Sequence, residues 1–254
     1  MGFVCAYLPI LTAMQRHRFF APPANIHQAT ILLNADESHH LARVLRLLPG
    51  ALVYAFDGNG AEYECEVARV HKEHAELRVV ARLSNEVESS LQLTLGQALV
   101  KSDKFDWIVQ KATELGVTRI VPLVTEHSEF KKVEGRELRL QRWRKIALEA
   151  TKQCGRRTLT EIHEVESFEQ FCATNTDSLR LIFSERQGNR LSEVQHEGGI
   201  TIAIGPEGGW SEREMQHATA AGFVSIHLGN RILRTETAAV TAVALTQHLF
   251  GDLR

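Results

Sequence analysis

The sequence predicts an α/β protein, a small, mostly β module followed by a larger domain of alternating strands and helices. Three β-patterned runs, Leu52–Phe56, Glu62–Val70 and Ala75–Arg82, lie in the first third of the 254 residues. A polar stretch without periodicity, residues 84–90, follows them and reads as a linker. Beyond it, apolar runs of strand length alternate with helical patterns, the order that builds a largely parallel sheet. Composition agrees: 44% hydrophobic and 24% charged residues exclude disordered, collagen-like and coiled-coil chains. The length suits one large core or two smaller ones.

In the first module, Leu41, Val44, Leu45 and Leu48 recur at helical spacing, so His39–Leu48 is expected to be a helix ended by Pro49-Gly50. Asp57-Gly58-Asn59-Gly60 joins the first two β runs, with Gly and Asn tolerating positive φ. Tyr63, Cys65 and Val67 alternate along the second run. His71 and His74 fall in an expected strand, where their side chains would point to opposite faces and make a poor metal site.

In the second domain, strands are expected at Leu91–Ala98, Arg119–Val124, Leu179–Phe183, Ile200–Ile204 and Val224–Leu228. Helices are expected at Asp103–Leu115, Glu137–Gln153, Ser211–Ala221 and Thr235–Phe250. Phe105, Ile108, Val109, Ala112 and Leu115 make the apolar stripe of the first helix, and Gly116 suits the position after its end.

Residues 1–13 are apolar but short, contain Pro9 and lack a basic start, so they are expected to be an extension and not a signal peptide. Ala6 replaces the Ser or Thr of a myristoylation pattern. No apolar run reaches the roughly 18 residues that span a bilayer, so no membrane association is expected. Cys5, Cys65, Cys154 and Cys172 are widely spaced with no C-x-x-C pair. That pattern predicts no metal and a reduced, cytoplasmic setting.

The net charge of −2 hides an asymmetry. Residues 131–157 carry ten basic and three acidic residues, a net +7, so the rest of the chain carries −9. At about 100° per residue, Trp143, Ile146, Ala147, Ala150 and Cys154 share one helix face. Arg142, Lys145, Lys152 and Arg156 share nearly the opposite one, with Glu149 inside the stripe. A polyanion would bind such a stripe; an isolated charge run is more often a solvated face.

Three segments could carry chemistry, each at a strand end. The first, Ile204-Gly205-Pro206-Glu207-Gly208-Gly209-Trp210-Ser211, runs from an apolar strand through a glycine-rich turn into a helix. Ser211 and Glu214 form a capping box there. Ligands of open α/β sheets sit at the carboxyl ends of strands, where glycine lets the backbone come close. The second, Leu228-Gly229-Asn230-Arg231-Ile232-Leu233-Arg234-Thr235-Glu236-Thr237-Ala238, places two arginines and a glutamate beside a turn, with Thr235 as the expected cap. The third is Phe183-Ser184-Glu185. Together they would line a pocket for a polar cofactor. Neither a phosphate-binding loop with Gly-Lys-Ser/Thr, a G-x-G-x-x-G turn nor a G-x-S-x-G elbow is present.

The segments GPEGGWSEREM and LGNRILRTETAAVTAVAL resemble the ribosomal RNA small-subunit methyltransferase E family, of the SPOUT class. So do HHLARVLR, QALVKSDKFDWIVQKATELGV and RWRKIALEATKQCGRR, in the same order. The resemblance runs from Met14 to the C-terminus. It implies a PUA-like β-barrel RNA-binding domain over 14–83 and, over 91–254, a SPOUT-type α/β methyltransferase domain with a C-terminal trefoil knot. It also implies S-adenosyl-L-methionine as cofactor, a homodimer, and methylation of N3 of one uridine in 16S rRNA of the small ribosomal subunit. The cofactor residues would be Phe183, Ser184, Glu185, Ile204, Gly205, Glu207, Gly208, Gly209, Leu228, Gly229, Ile232, Leu233, Arg234, Thr235, Glu236 and Ala238. Arg16, Arg18, Phe19, Arg43, Arg46, Lys101, Lys104, Arg156 and Arg157 would meet RNA.

Uridine N3 carries a proton that must leave as a methyl group arrives. Arg234 is expected to stabilise negative charge on the uracil carbonyls, and Glu207 or Glu236 to accept the proton. A non-catalytic RNA- or ribosome-binding protein is the rival reading, and a SPOUT enzyme acting on another RNA is a second. Glu207 and Arg234 beside the two turns favour the enzyme.

Overall fold

The computed structural model describes residues 17–71, 74–84, 88–128, 135–185, 188–195 and 198–253. Its contacts divide the chain into two units, Met1–Ser84 and Asn85–Arg254.

The first unit holds strands β1 (Arg18–Phe20), β2 (Ile26–His27) and β3 (Thr30–Leu32), helix α1 (Ala35–His39), and strands β4 (Leu52–Phe56), β5 (Glu62–Val70) and β6 (Ala75–Leu83). They form one sheet in the order β1-β4-β5-β6-β3-β2, antiparallel except where β1 lies parallel to β4. Alternate residues of β5, Cys65 and Val67, are fully buried with Phe19, Ile31, Leu41, Val53 and Leu77. In the β4–β5 turn, Gly58 and Gly60 take the positive φ and Asn59 does not. Asp57 organises the turn instead, its carboxylate accepting from the amides of Asn59 at 2.7 Å and Ala61 at 3.0 Å.

The expected helix over residues 39–48 differs. Asn34 caps α1 by accepting from the Glu37 amide, and the helix continues as one π turn over His40–Val44. The Leu45 amide donates to the His40 carbonyl, five residues back. The extra residue in that turn breaks the 3.6 phase. Leu41 stays buried, whereas Val44 and Leu48 are exposed. The two histidines also depart from expectation: His71 and His74 lie between β5 and β6, their rings stacked 4.7 Å apart.

The second unit begins with β7 (Leu93–Ala98), α2 (Ser102–Glu114), β8 (Arg119–Val124) and α3 (Arg136–Cys154). It continues through β9 (Glu161–Ile162), β10 (Glu166–Ser167), α4 (Phe168–Thr174), β11 (Leu179–Phe183) and β12 (Ile200–Ile204). It ends with α5 (Glu212–Ala220), β13 (Val224–Ile226) and α6 (Thr235–Phe250). The sheet is parallel throughout, in the order β10-β8-β7-β12-β11-β13, with β9 also on β8. Side chains alternate between its faces. Leu181, Phe183, Ile202 and Ile204 pack with Phe105, Trp143 and Val243 of α2, α3 and α6, while Ile182 and Ala203 pack with Phe168, Phe171 and Ala218 of α4 and α5. Gly96 in β7 is a close approach: a Cβ there would lie 2.5 Å from the Phe171 ring.

The short β9 and β10 and helix α4 have too few residues for a periodic signal. Ser167 and Gln170 do mark the start of α4, the Ser167 hydroxyl accepting from the Gln170 amide. The stretch expected as a linker is anchored on its far side, where the Glu88 carboxylate accepts from the amides of Arg157 and Thr158. Strand β13 is held on one side by β11 and on the other by Asn189, in the connection leaving β11. The Asn189 amide donates to the Ser225 carbonyl at 2.8 Å.

Cys65, Cys154 and Cys172 are free thiols, and burial pushes those of Cys65 and Cys172 up to about 12. No helix among the described residues is long and apolar enough to cross a membrane.

Candidate active site

Strands β11, β12 and β13 end level with one another, Phe183 in register with both Ile204 and Ile226. Their three following loops therefore leave from one edge and enclose a cavity of about 480 Å³. Phe183, Ile204, Leu228, Leu233 and Ala238 make its walls apolar, and Glu185, Glu207, Glu212, Arg231 and Arg234 give it charge. The size falls within the usual range of small-molecule sites.

Hydrogen bonds fix the loops to one another. The Trp210 indole Nε1 donates to the Phe183 carbonyl at 2.9 Å. The Thr235 hydroxyl donates to the Gly205 carbonyl at 2.7 Å and accepts from Gln97 Nε2 at 3.3 Å. Gln97 is fully buried at the end of β7 and lies beneath the site. Thr235 is therefore a strut across the cavity floor and not the expected cap of α6, whose N-cap is Arg234. The capping box of α5 forms as expected: Ser211 accepts from the Glu214 amide, and Glu214 Oε2 accepts from the Ser211 amide at 2.9 Å. The other Glu214 oxygen accepts from the Glu126 amide at 2.8 Å, tying the loop after β8 to this end of α5.

Two glycines are needed here for different reasons: a Cβ on Gly205 would stand 3.1 Å from the Trp210 ring, and Gly209 takes a left-handed φ of +69°. Gly208 faces away from the cavity, where a Cβ would meet His127 at 2.9 Å. Glu207 lies at the cavity edge and accepts a hydrogen bond from Lys104 Nζ at 2.9 Å. Lys104 is also 3.7 Å from Glu236, which does not line the cavity. The Lys104 ammonium is held above its ordinary pKa, chiefly by the hydrogen bond to Glu207.

Comparison with known proteins decides the family. Residues 87–247 match the model of an RNA methyltransferase domain, and residues 33–80 that of an RNA methyltransferase PUA domain. The ribosomal RNA small subunit methyltransferase E of Synechocystis sp. is 33% identical over 235 residues, which cover 90% of this chain and 76% of that protein. The chain belongs to the ribosomal RNA small subunit methyltransferase E family. The protein of that name from Bacillus subtilis is 30% identical, covering 94% of this chain and all of its own length. A solved structure of the Neisseria gonorrhoeae protein, bound to S-adenosyl methionine, is 34% identical with a TM-score of 0.88, covering 94% of this chain and 100% of that one. A putative methyltransferase from Legionella pneumophila, also holding S-adenosylmethionine, is 31% identical with a TM-score of 0.88 over the same shares.

Of the cofactor residues that the family resemblance implies, the fold gathers all but Gly208 and Glu236 on one cavity wall or another. Sequence reasoning missed Glu212, Met215 and Gln216, which also line it. The signal was present: these positions are spaced i, i+3, i+4 from the capped start of α5, so they share the face turned to the strand ends. Trp210 and Arg231 stood within the motifs without being assigned a role.

The expected RNA contacts fare differently. Arg43, Arg46 and Lys101 are exposed, and Arg46 holds a left-handed φ of 54°. Arg16 lies outside the described residues. Arg18 is inside the first unit, its guanidinium 2.7 Å from Glu62 and over the Phe56 ring, and Phe19 is fully buried in that core. Arg156 and Arg157 are buried as well. Arg156 Nη1 donates to the carbonyls of Thr113 and Val117 and to the Thr160 hydroxyl, and Nε donates to Glu88. These four residues belong to the protein's interior and not to an RNA surface, because all are buried and the guanidinium groups of Arg18 and Arg156 are spent on protein partners. Along α3, Arg142 pairs with Asp106, Arg144 with Glu164 and Lys152 with Glu149, while Lys145 remains exposed.

Proposed function

We propose that this chain is an S-adenosyl-L-methionine-dependent methyltransferase that methylates N3 of one uridine in 16S rRNA of the small ribosomal subunit. The observation that carries the reading is the cavity at the ends of β11, β12 and β13 in a chain of this family.

The residues present fit the cofactor. Leu228, Leu233 and Ala238 offer apolar surface to a flat adenine. Gly205 and Gly209 leave the space that a Cβ would fill, and Glu185 and Glu212 place carboxylates where a cationic sulfonium and ammonium gain from them. Bound there, S-adenosylmethionine supplies an electrophilic methyl group. Arg234, exposed at the N-cap of α6, neutralises charge developing on the uracil carbonyls. Glu207 accepts the N3 proton as the N3–carbon bond forms, so the base reacts without carrying a full negative charge.

Residues 14–83 act as the RNA-binding domain in this reading, with Arg43 and Arg46 on phosphates. The chain is threaded around β13 as the trefoil knot of the SPOUT class. It works as a homodimer: Leu245 and Leu249, one turn apart on α6, expose apolar surface for a second copy. Its place is the cytoplasm, where its substrate is.

Mass spectrometry of 16S rRNA from cells lacking the gene tests the reading. Loss of a single N3-methyluridine, restored by the gene, is expected; an unchanged modification map would overturn it.

A further inference from the structure

Lys104 stands in the first turn of α2, a helix that contributes no residue to the cavity lining. Its ammonium nevertheless ends between two carboxylates that border the site. It donates to Glu207 of the glycine-rich turn at 2.9 Å and lies 3.7 Å from Glu236 Oε2 of α6. That Glu236 oxygen is shielded from solvent and accepts no hydrogen bond. The glycine-rich turn is also held from another side, where His127 Nδ1 lies 3.0 Å from the Gly209 carbonyl and the His127 side chain packs on Gly208.

We propose that Lys104 is a positioning residue, which pins the Gly205–Gly209 turn and the Glu207 carboxylate to the start of α6, and not an RNA grip. Two carboxylates already neutralise its charge, so a phosphate approaching it meets Glu207 and Glu236 as well. Removing the ammonium would release the turn and leave two acids facing each other across the gap. A turn free to move holds its cofactor less well, because ordering it must then be part of binding. The consequence for the cofactor rests on the methyltransferase reading; the consequence for the turn does not.

The test compares the full chain with Lys104→Met, which keeps length without charge, and Lys104→Arg, which restores the charge. Hydrogen exchange of the peptide spanning residues 204–211, without any ligand, is expected to quicken in Lys104→Met and return towards normal in Lys104→Arg. Calorimetric affinity for S-adenosylmethionine is expected to fall about fivefold in Lys104→Met, the scale of a partly exposed ion pair, and to recover in Lys104→Arg. The salt dependence of 16S rRNA binding should not change. Unchanged exchange in Lys104→Met overturns the proposal, and a salt slope reduced by about one charge would instead make Lys104 a phosphate contact. Should Lys104→Met fail to fold, Glu207→Met removes the acceptor of the same hydrogen bond and takes the same exchange measurement. If the unaltered chain binds no S-adenosylmethionine, the methyltransferase reading falls, and the exchange result still decides the role of Lys104.

Discussion

The Arg156 guanidinium and the Glu88 carboxylate meet at 3.0 Å just beyond the C-terminal end of α3, with only 6% of the arginine side chain exposed. The same guanidinium satisfies the Thr113 and Val117 carbonyls at the end of α2. One side chain thus joins residue 88, the α2 terminus and the segment after α3. Arg156→Ala should therefore destabilise the second unit by roughly 1.5–3 kcal/mol, since Glu88 loses its charged partner and the two carbonyls each lose one of their donors. Denaturant unfolding measures this. The salt slope of RNA binding should stay that of the unaltered protein, and a flatter slope without loss of stability would return Arg156 to the RNA surface.

Gly188 tests the grip on β13. A Cβ there would stand 2.8 Å from the backbone nitrogen and carbonyl carbon of Ile226. Neither atom can move without shifting a strand of the sheet, so Gly188→Ala should cost about 3 kcal/mol and weaken cofactor binding with it. Gly229 gives the contrast. Its φ is +89° with nothing within 4 Å, so alanine there meets conformational strain alone, about 1–2 kcal/mol. Equal losses at the two positions would contradict the close packing at residue 188.

Arg234 and Glu207 should separate by what each does. Arg234→Ala is expected to lower kcat about 10²- to 10³-fold, with an unchanged melting transition and retained cofactor affinity, as for loss of one donor to a developing anion. Glu207→Gln removes the proton acceptor and should cost about 10²- to 10⁴-fold in kcat. Methyl transfer to 16S rRNA under saturating substrate is the measurement, and near-normal turnover in either variant removes that residue from the mechanism.

Glu166 in β10 makes stability depend on pH. Burial holds its carboxyl above the ordinary 4.5, against the opposing pull of His163 and Arg119. A carboxyl with a raised folded pKa binds its proton more tightly in the folded chain than in the unfolded one. Its contribution is fully present below about pH 4.5 and is lost as pH rises through the folded value. Glu166→Gln keeps the neutral form at all pH, so it should raise the melting temperature at pH 7 and have little effect at pH 4. A gain of equal size at both pH values would show that charge is not the cause.

The sequence by itself determined the long elements and the site's address. Strands β11 and β12 and helix α6 stand at the expected residues, because continuous apolar runs and a 3.6-residue stripe are local signals. The three strand-end segments converge because glycine-rich turns, a capping box and parallel strand–helix order together dictate where loops must lie. What only tertiary structure decided is which polar side chains are free. Arg18, Arg156 and Arg157 have the composition of an RNA grip, yet they are buried against partners up to 69 positions away in the chain. Lys104 is spent on two carboxylates, one from the glycine-rich turn and one from α6, and Gly208 serves His127 and not the cavity. The same holds for β9 and β10, two residues each, which are strands solely because β8 offers them an edge. Periodicity records which face of an element is buried; the pairing of a charge depends on distances that only the folded chain brings about.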